Sequence, residues 1–378
     1  MGNMKSGLSV LIIPDKFKGS LTAKAAARAI ARGWRRARPR DALTLLPASD
    51  GGDGFGEVLS DLLGARPRRA RSVDAAKRSR MVRWWWHSKT KTAIIESARV
   101  IGLALLPPNA FHPFELDTRG LGAVMRAAAA VGARRCVIGI GGSATNDGGF
   151  GLALALGWEF LDHSGRALKR WTDLKMLARI RPPRKRRWFN ELVVAVDVRN
   201  PLLGVRGATR IYGPQKGLCP SDFLTAETCL RRLARVVTAG SGQNIAAEPG
   251  TGAAGGLGFG LRAFLGAKLE PGFDWFARHA RLDQHLEHAD LVITGEGSIG
   301  DSTFMGKGVG HIARMCKARG IPCIGLAGKV DAKGRGTGLF KDVRALTDLV
   351  GPERAKREAT HWLQRLATQV GQEYQAQA

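Results

Sequence analysis

The chain has 378 residues, 44% of them apolar, and a net charge of +27 at pH 7, which allows two globular domains and a substantial core. No uncharged apolar run approaches the length of a membrane span, and the run at 8–13 is too short for a secretory signal, so we expect no membrane association. The five cysteines are scattered without a CxxC pair, which excludes a disulfide framework and predicts reduced thiols in a cytoplasmic protein.

The predicted elements alternate between strands and helices along the whole chain. Strands are expected at 8–13, 42–46, 92–96, 136–140, 191–196, 209–212, 291–294 and 322–326. Helices are expected from a Thr22 cap to about Arg38, and at 57–63, 119–131, 258–267 and 303–318. This alternation predicts an α/β protein with parallel strand pairing.

The high positive charge raises the question of nucleic-acid binding. The basic residues are mostly arginines in predicted helices and connections, such as the run at 184–187, and they do not alternate with aromatic residues on one face. We interpret Trp84–Trp86 as a strand with two tryptophans inside and one outside, rather than a base-stacking platform. The pattern argues against a nucleic-acid partner, and the positive field would help to recruit an anionic small substrate.

The stretch from 138 to 151 is unusually rich in small polar residues. It holds six glycines together with Ser143, Thr145, Asn146 and Asp147, between a predicted strand and a predicted helix. Glycines let backbone N–H groups approach phosphate oxygens without interference from a Cβ atom. We predict an anion-binding loop in which Asp147 holds a metal or orients a hydroxyl group; a long turn without a ligand is the alternative.

Five further loops combine the end of an apolar strand or a turn with glycine and an acid or a lysine. They are Pro14–Ser20, Pro47–Gly54, Val196–Pro201, Gly213–Gly217 and Thr294–Ser302. Ligands of open α/β sheets bind beyond the carboxyl ends of the strands, so the loops predict one composite site. Carboxylates, lysines and glycine-rich backbone are the groups that phosphoryl transfer needs. Taken singly, each acid fits a helix cap and each lysine a solvated charge, so only their coincidence indicates a function.

Two glycine patterns also permit a dinucleotide site. Residues 295–300 match GxGxxG after a strand, and residues 250–255 match it without one. At this glycine content about one match is expected by chance, and Glu296 would repel a pyrophosphate group. A dinucleotide-dependent oxidoreductase nevertheless stays open as an alternative. The chain has no GxSxG elbow, which argues against an α/β-hydrolase.

Seven stretches resemble motifs of the glycerate kinase family of the first type. They occur in the family's order and span nearly the whole chain: 14–21 (PDKFKGSL), 49–54 (SDGGDG), 140–149 (IGGSATNDGG), 197–202 (DVRNPL), 212–217 (YGPQKG), 252–258 (GAAGGLG) and 293–297 (ITGEG). Each stretch is modest alone, but seven in order are highly specific.

The resemblance implies ATP- and Mg²⁺-dependent transfer of phosphate to D-glycerate, and many bacterial members give 2-phosphoglycerate. It also implies two α/β domains, one inserted into the other, with the site in the cleft. We place a domain with a Rossmann-like parallel sheet at 1–66 and 285–378, and the inserted α/β domain at 67–284. The hydroxyl group that is phosphorylated and the assembly of subunits, a homo-oligomer included, stay open.

The resemblance also assigns roles to the loop residues. Among them, Asp50, Asp197 and Glu296 would divide metal binding and proton acceptance, in an order that the sequence does not fix. The expected catalytic residues are Asp50, Asp197, Lys18 and Lys216, the expected cofactor contacts are Gly141, Gly142, Ser143, Thr145, Asn146, Gly295 and Gly297, and the expected metal ligands are Glu296 and Asp147. A cation for the glycerate carboxylate is expected among Lys16, Lys18 and Arg199.

Two departures from the family pattern bear on activity. After Gly-Glu-Gly the family usually has an arginine, an apolar residue and an aspartate, whereas this chain has Ser298-Ile-Gly300 and places Asp301 one position later. The segment 73–91 lacks an expected glycine-containing turn and carries Trp84–Trp86 instead. A basic binding protein of the same fold with impaired catalysis is therefore a third alternative.

Overall fold

The computed structural model describes residues 7–304, 308–336 and 338–376. Its internal contacts divide the chain into two compact units. The first unit joins Met1–Asp50 to Phe273–Ala378, and the second unit is Gly51–Gly272.

The described strands are, in chain order, β1 (Ser9–Pro14), β2 (Ala42–Leu45), β3 (Arg66–Val73), β4 (Ser79–His87), β5 (Thr92–Glu96), β6 (Arg135–Gly139), β7 (Glu159–Leu161), β8 (Arg179–Arg181), β9 (Glu191–Val196), β10 (Lys268–Pro271), β11 (Leu291–Ile299), β12 (Cys323–Val330) and β13 (Asp342–Ala345).

The described α-helices are α1 (Ala23–Ala37), α2 (Phe55–Leu63), α3 (Ala98–Ile101), α4 (Gly120–Ala130), α5 (Phe150–Ala155), α6 (Ala208–Tyr212), α7 (Phe223–Ser241), α8 (Ala253–Leu265), α9 (Gly272–His279), α10 (Leu282–Glu287), α11 (Asp301–Phe304), α12 (Gly308–Ala318), α13 (Ala332–Gly336), α14 (Pro352–Arg357) and α15 (Ala359–Ala376).

The first unit is built on a five-stranded sheet with the order β13-β12-β11-β1-β2. Every neighbouring pair in it is parallel, and β1 reads as a continuous buried apolar run, as a strand covered on both faces does. Counted within this unit, the strand order is 2-1-3-4-5, that of doubly wound flavodoxin-like sheets. The expected α/β class with a parallel sheet is confirmed. The order reverses between β1 and β11, where such sheets bind ligands.

Helix α1 shows how the sequence fixes the elements of this unit. The side chain of Thr22 accepts a 3.1 Å hydrogen bond from the backbone N–H of Ala25, which is the cap that the sequence predicts. The buried face of the helix includes Ile30 and Trp34, which pack with Leu363 of α15 over one face of the sheet.

The second unit holds a six-stranded sheet with the order β10-β9-β6-β5-β4-β3. The pairs from β10 to β5 are parallel, whereas β4 and then β3 join antiparallel, with β3 at the edge of the sheet. Helix α4 packs against this sheet through Leu121, Val124 and Met125, which belong to its main core. A second core lies around α7, where Leu230 and Leu233 belong to the same buried cluster as Phe150 and Phe160.

The tryptophans of β4 lie in the strand that the sequence predicts. Trp84 and Trp85 are both buried although they point to opposite faces, and Trp86 is half-buried. Trp84 belongs to the main core, and Trp85 packs on α2, where a Cβ atom at Gly56 would lie 2.0 Å from its ring. Both faces of β4 are therefore covered at this point, which leaves no exposed indole stack.

The edge of the same sheet carries like charges in direct opposition. Arg69 of β3 is paired in register with Arg83 of β4, and both side chains are exposed. Neither guanidinium group forms an ion pair within the described residues. Cross-strand neighbours of equal charge destabilise a sheet, so repulsion between these two arginines weakens the pairing of β3 with β4.

Several sequence expectations differ from the structure in detail. Residues 209–212 form part of helix α6 rather than a strand. The predicted helix at 303–318 corresponds to α11 and α12, and its residues 305–307 lie outside the described residues. The expected domain boundaries at 66/67 and 284/285 differ from the division by contacts, which assigns α2 to the second unit, where it packs on β4 and β5.

None of the described helices combines the length and apolarity that crossing a membrane requires. All five cysteines carry free thiols, and four of them are buried.

Candidate active site

Acidic residues gather at the point where the strand order of the first unit reverses. Asp15 follows β1 directly, and its backbone N–H donates a 2.8 Å hydrogen bond to the carbonyl oxygen of Gly295 in β11. The Asp15 side chain is 7% exposed. Burial, together with the charges of Asp50 and Glu296, raises the pKa of Asp15 to about 8. The three carboxyl groups therefore form one acidic cluster at the position where such sheets bind ligands.

A hydrogen bond from Thr303 of α11 holds the side chain of Glu296 in place. The hydroxyl group of Thr303 donates a 2.7 Å hydrogen bond to Glu296 Oε1, and the backbone N–H of Gly300 donates one to Thr303 Oγ1. Glu296 is buried, whereas Asp301, the residue shifted relative to the family pattern, is exposed. The acid of the Gly-Glu-Gly motif, rather than Asp301, thus belongs to the buried cluster.

The GxGxxG match at 295–300 does not form a dinucleotide turn. Strand β11 continues to Ile299 and pairs with β12 as far as Val330, so these glycines lie inside a strand. A Cβ atom at Gly295 would lie 1.9 Å from the carbonyl oxygen of Leu326, and one at Gly297 would lie 2.9 Å from the backbone nitrogen of Lys18. Close packing explains both glycines. A dinucleotide site needs a strand, a turn and a helix, and the geometry argues against that alternative.

Lys18 lies in the turn that follows Asp15, and its side chain is exposed. The neighbouring Gly19 adopts φ +77°, a left-handed conformation that favours glycine, and so turns the chain back toward α1. Lys18 thus extends from the same strand end as the acidic cluster.

Lys216 and the glycine-rich loop come together in the second unit. The residues Pro214–Lys216 form a 3₁₀ turn, and the ammonium group donates hydrogen bonds to Ser143 Oγ at 3.2 Å and to the Thr145 carbonyl oxygen at 2.7 Å. The side chain is 7% exposed. Burial lowers the pKa of Lys216 to about 7, although the charges of Asp147 and Asp197 oppose the shift. The predicted lysine and loop are neighbours, as a shared anion site requires.

Asp147 is enclosed and fully hydrogen-bonded, and this geometry argues against its expected role as a metal ligand. Its carboxylate accepts hydrogen bonds from the backbone N–H and the hydroxyl group of Thr118, and from the N–H groups of Gly149 and Gly151. It has no exposed surface, and burial with the nearby Asp117 raises the pKa of Asp147 to about 6. Because its oxygens are occupied by these donors, Asp147 stabilises the loop instead.

Only part of the 141–149 backbone is available to an anion. The N–H groups of Gly141, Ala144, Gly148 and Gly149 donate hydrogen bonds inside the protein. Those at 142, 143, 145 and 146 make none within the described part of the chain, nor does that of Asp147, whose residue has no exposed surface. The Thr145 hydroxyl and Asn146 Oδ1 are also buried without a hydrogen-bond partner there. The available groups therefore lie at 142–146, beside Lys216.

Asp197 ends β9 next to this loop. A Cβ atom at Gly141 would lie 3.5 Å from Asp197 Oδ2 and 2.7 Å from the Cα atom of Gly52, so only glycine permits this approach. Asp197 is exposed, and its charge acts on both Lys216 and Tyr212. An accessible carboxylate thus lies beside a buried ammonium group.

Sequence reasoning missed three residues that build these sites. One is Asp15, for which the position just after a predicted strand is a usable signal. Glu96, the last residue of β5, is 4% exposed and accepts 3.0 Å hydrogen bonds from the N–H groups of Gly54 and Gly56. Thr118 holds Asp147, and no pattern in the sequence indicates it.

Comparison with known proteins gives consistent results. The glycerate kinase family model matches residues 10–375. The glycerate kinase of Halalkalibacterium halodurans is 38% identical over 325 residues, which cover 85% of this chain and 86% of that protein. The glycerate 2-kinase of Escherichia coli K12 is 35% identical over 330 residues, with coverage of 85% and 86%. A crystal structure assigned as glycerate kinase 2 from Salmonella typhimurium LT2 has a TM-score of 0.81 at 32% identity, covering 98% of this chain and 99% of that one.

Proposed function

We propose that this chain, which belongs to the glycerate kinase family, transfers the γ-phosphoryl group of ATP to D-glycerate and gives 2-phosphoglycerate. The family match over residues 10–375 carries the proposal, because it includes both the acidic cluster and the lysine-bearing loop.

The acidic cluster suits a divalent cation. Among the described residues no three histidine, cysteine or acidic side chains converge as a complete metal cage. Mg²⁺ does not need one, since it is usually held by one or two carboxylates together with water and substrate phosphates. Burial, together with the charges of Asp50 and Glu296, raises the pKa of Asp15, so a bound cation would stabilise the charged form of this carboxyl group. Asp15, Asp50 and Glu296 would hold Mg²⁺, which supplies charge neutralisation of the phosphates when bound.

The protein's own groups account for the remaining chemistry. Asp197, exposed beside Lys216, accepts the proton of the glycerate hydroxyl group as its oxygen bonds to the γ-phosphorus. The bond from phosphorus to the bridging oxygen breaks, and ADP leaves with that oxygen. Lys18, extending from the strand end that carries Asp15, neutralises phosphate charge, and Lys216 holds an anionic group of a substrate.

A coupled ADP-release assay with D-glycerate, ATP and Mg²⁺ tests the proposal. We expect ADP release that depends on both substrates, and a product whose ³¹P–¹H coupling places the phosphate on the C2 oxygen. Phosphate on the C3 oxygen would refute the 2-kinase assignment alone. Retention on a polyanion resin without any ATP turnover would favour an inactive binding protein instead.

A further inference from the structure

Lys216 is a buried cation whose ammonium group contacts no carboxylate directly among the described residues. Its ammonium group contacts two neutral oxygens, Ser143 Oγ and the Thr145 carbonyl oxygen, and forms no ion pair there. A buried charge is costly unless it is paired, and the charges of Asp147 and Asp197 only partly offset the effect of burial on Lys216. A ligand carboxylate in direct contact with the ammonium group would therefore stabilise its charged form.

The groups around this ammonium suit an acid that also carries hydroxyl groups. The N–H groups at 142, 143, 145 and 146 are donors without partners in the described chain. The buried Thr145 hydroxyl and Asn146 Oδ1 likewise lack partners there, and both residues have no exposed surface. Asn146 Oδ1 can only accept, so it suits a ligand hydroxyl group and repels a second carboxylate or a phosphate oxygen.

The number of charges distinguishes the two substrates. A triphosphate carries several negative charges, whereas one ammonium group matches the single charge of a carboxylate. Asp197 is exposed beside the loop and would oppose a polyphosphate there. In a three-carbon hydroxy acid the carboxylate carbon and the oxygen of the reacting hydroxyl group lie two or three bonds apart, so an ammonium group beside a carboxylate base fits this molecule.

We infer that Lys216 binds the carboxylate of the acceptor, that residues 142–146 recognise its hydroxyl groups, and that this loop is the glycerate site rather than the nucleotide site. The inference rests on the proposed function. It replaces the sequence-based expectation that this loop contacts the cofactor and that Lys16, Lys18 or Arg199 binds the carboxylate.

A neutral analogue of the substrate isolates the interaction. Glyceramide keeps the hydroxyl groups of D-glycerate but lacks the negative charge, so the wild-type protein should prefer D-glycerate in kcat/KM by about 10- to 100-fold, the range of one charge-assisted hydrogen bond. In Lys216→Met the preference should vanish, while KM for ATP stays within about twofold. Lys169→Met, at an exposed lysine of the same unit, is the matched control and should keep the wild-type preference.

Equilibrium binding separates failure of the inference from failure of the proposed function. Calorimetry with D-glycerate and no nucleotide should show binding to the wild type that Lys216→Met weakens by about 10-fold or more, with Ser143→Ala as a second, milder variant. Unchanged glycerate affinity in Lys216→Met, or a rise in KM for ATP alone, overturns the inference. Binding that requires Lys216 in a protein without turnover would keep the acceptor site and overturn the kinase assignment.

Discussion

The hydroxyl group of Thr118 donates a 2.8 Å hydrogen bond to Asp147 Oδ2 and accepts a 2.8 Å hydrogen bond from the backbone N–H of Leu152. One side chain thus joins the start of α4 to the glycine-rich loop and to α5. Because it satisfies a buried carboxylate, we predict that Thr118→Val lowers the free energy of unfolding by about 2–3 kcal/mol. Urea denaturation followed by circular dichroism measures the change.

Thr118→Ser is the matched control, since it keeps the hydroxyl group. It should cost less than about 1 kcal/mol, mainly through the lost methyl group. Equal destabilisation by the two variants would show that the hydrogen bonds contribute little.

Replacing Asp15, which lies where the strand order reverses, should increase stability and reduce activity. Because the pKa of Asp15 is raised to about 8, the folded protein keeps a proton on this carboxyl group that the unfolded chain releases above pH 3.8. The free energy of unfolding therefore falls as the pH rises from 3.8 to about 8. Asp15→Asn removes this loss, so the free energy of unfolding at pH 7 should increase on the order of 2–4 kcal/mol. Turnover should fall at least about 100-fold.

Asp41 of the same unit provides the contrast. It is also buried, but it accepts hydrogen bonds from Leu8, Trp34 and Arg38. Asp41→Asn should lower the melting temperature and leave kcat near the wild-type value. If Asp15→Asn proved as destabilising as Asp41→Asn, the acidic cluster would not be repulsive.

The lowered pKa of Lys216 leads us to expect that substrate binding depends on pH. Burial lowers the pKa of Lys216 to about 7, so above that pH the free protein must take up a proton to bind a carboxylate. We expect KM for D-glycerate to rise by up to about 10-fold per pH unit above pH 7. Steady-state kinetics from pH 6 to 9 measure this, and Lys216→Arg should give a flatter profile because arginine stays charged.

The same shift acts on folding with a defined sign. Between pH 7 and 10.5 the unfolded chain keeps the Lys216 proton that the folded chain releases, so this group makes stability rise with pH. Lys216→Met should lack that rise in denaturation experiments without ligand. A wild-type slope in the variant would show that another group titrates.

Two aspartates at separate strand ends should both be needed for turnover. Asp50→Asn and Asp197→Asn are each expected to reduce kcat by about 10²–10⁴-fold with unchanged circular dichroism, since one joins the acidic cluster and the other accepts the proton. Glu115→Gln changes an exposed acid of the second unit and should have no effect. Near-normal activity in both aspartate variants would remove their assigned roles.

The sequence predicts those parts of the fold that depend on local pattern. The Thr22 cap, the strand at Thr92–Glu96 and the strand at Glu191–Val196 follow from capping chemistry and apolar runs, and the structure confirms them. Residues 209–212 are a predicted strand that the structure does not contain. They form a helical turn because Thr209 is fully buried and bonded to Asn146, a tertiary contact that local propensity does not contain.

The site was predictable as a set of loops but less so in its roles. Strand-end glycines and acids show where ligands bind, because parallel strands present their carboxyl ends at one edge. Burial decides the chemistry of each side chain, and burial is set by tertiary packing. The Asp147 carboxylate accepts hydrogen bonds from four donors inside the protein, and Gly295 permits the close packing of two strands. The place of Asp15 at a strand end is visible in the sequence, but its raised pKa depends on burial and on neighbours from distant parts of the chain.

The opposed pair Arg69 and Arg83 makes the protein sensitive to dissolved ions. At low ionic strength the two guanidinium groups, which are directly opposite each other on the paired strands β3 and β4, repel each other. Added sulfate or phosphate would screen or bridge them, so the melting temperature should climb with the concentration of such anions. A purification buffer poor in electrolyte would favour fraying of β3, and an unpaired strand edge is a template for aggregation.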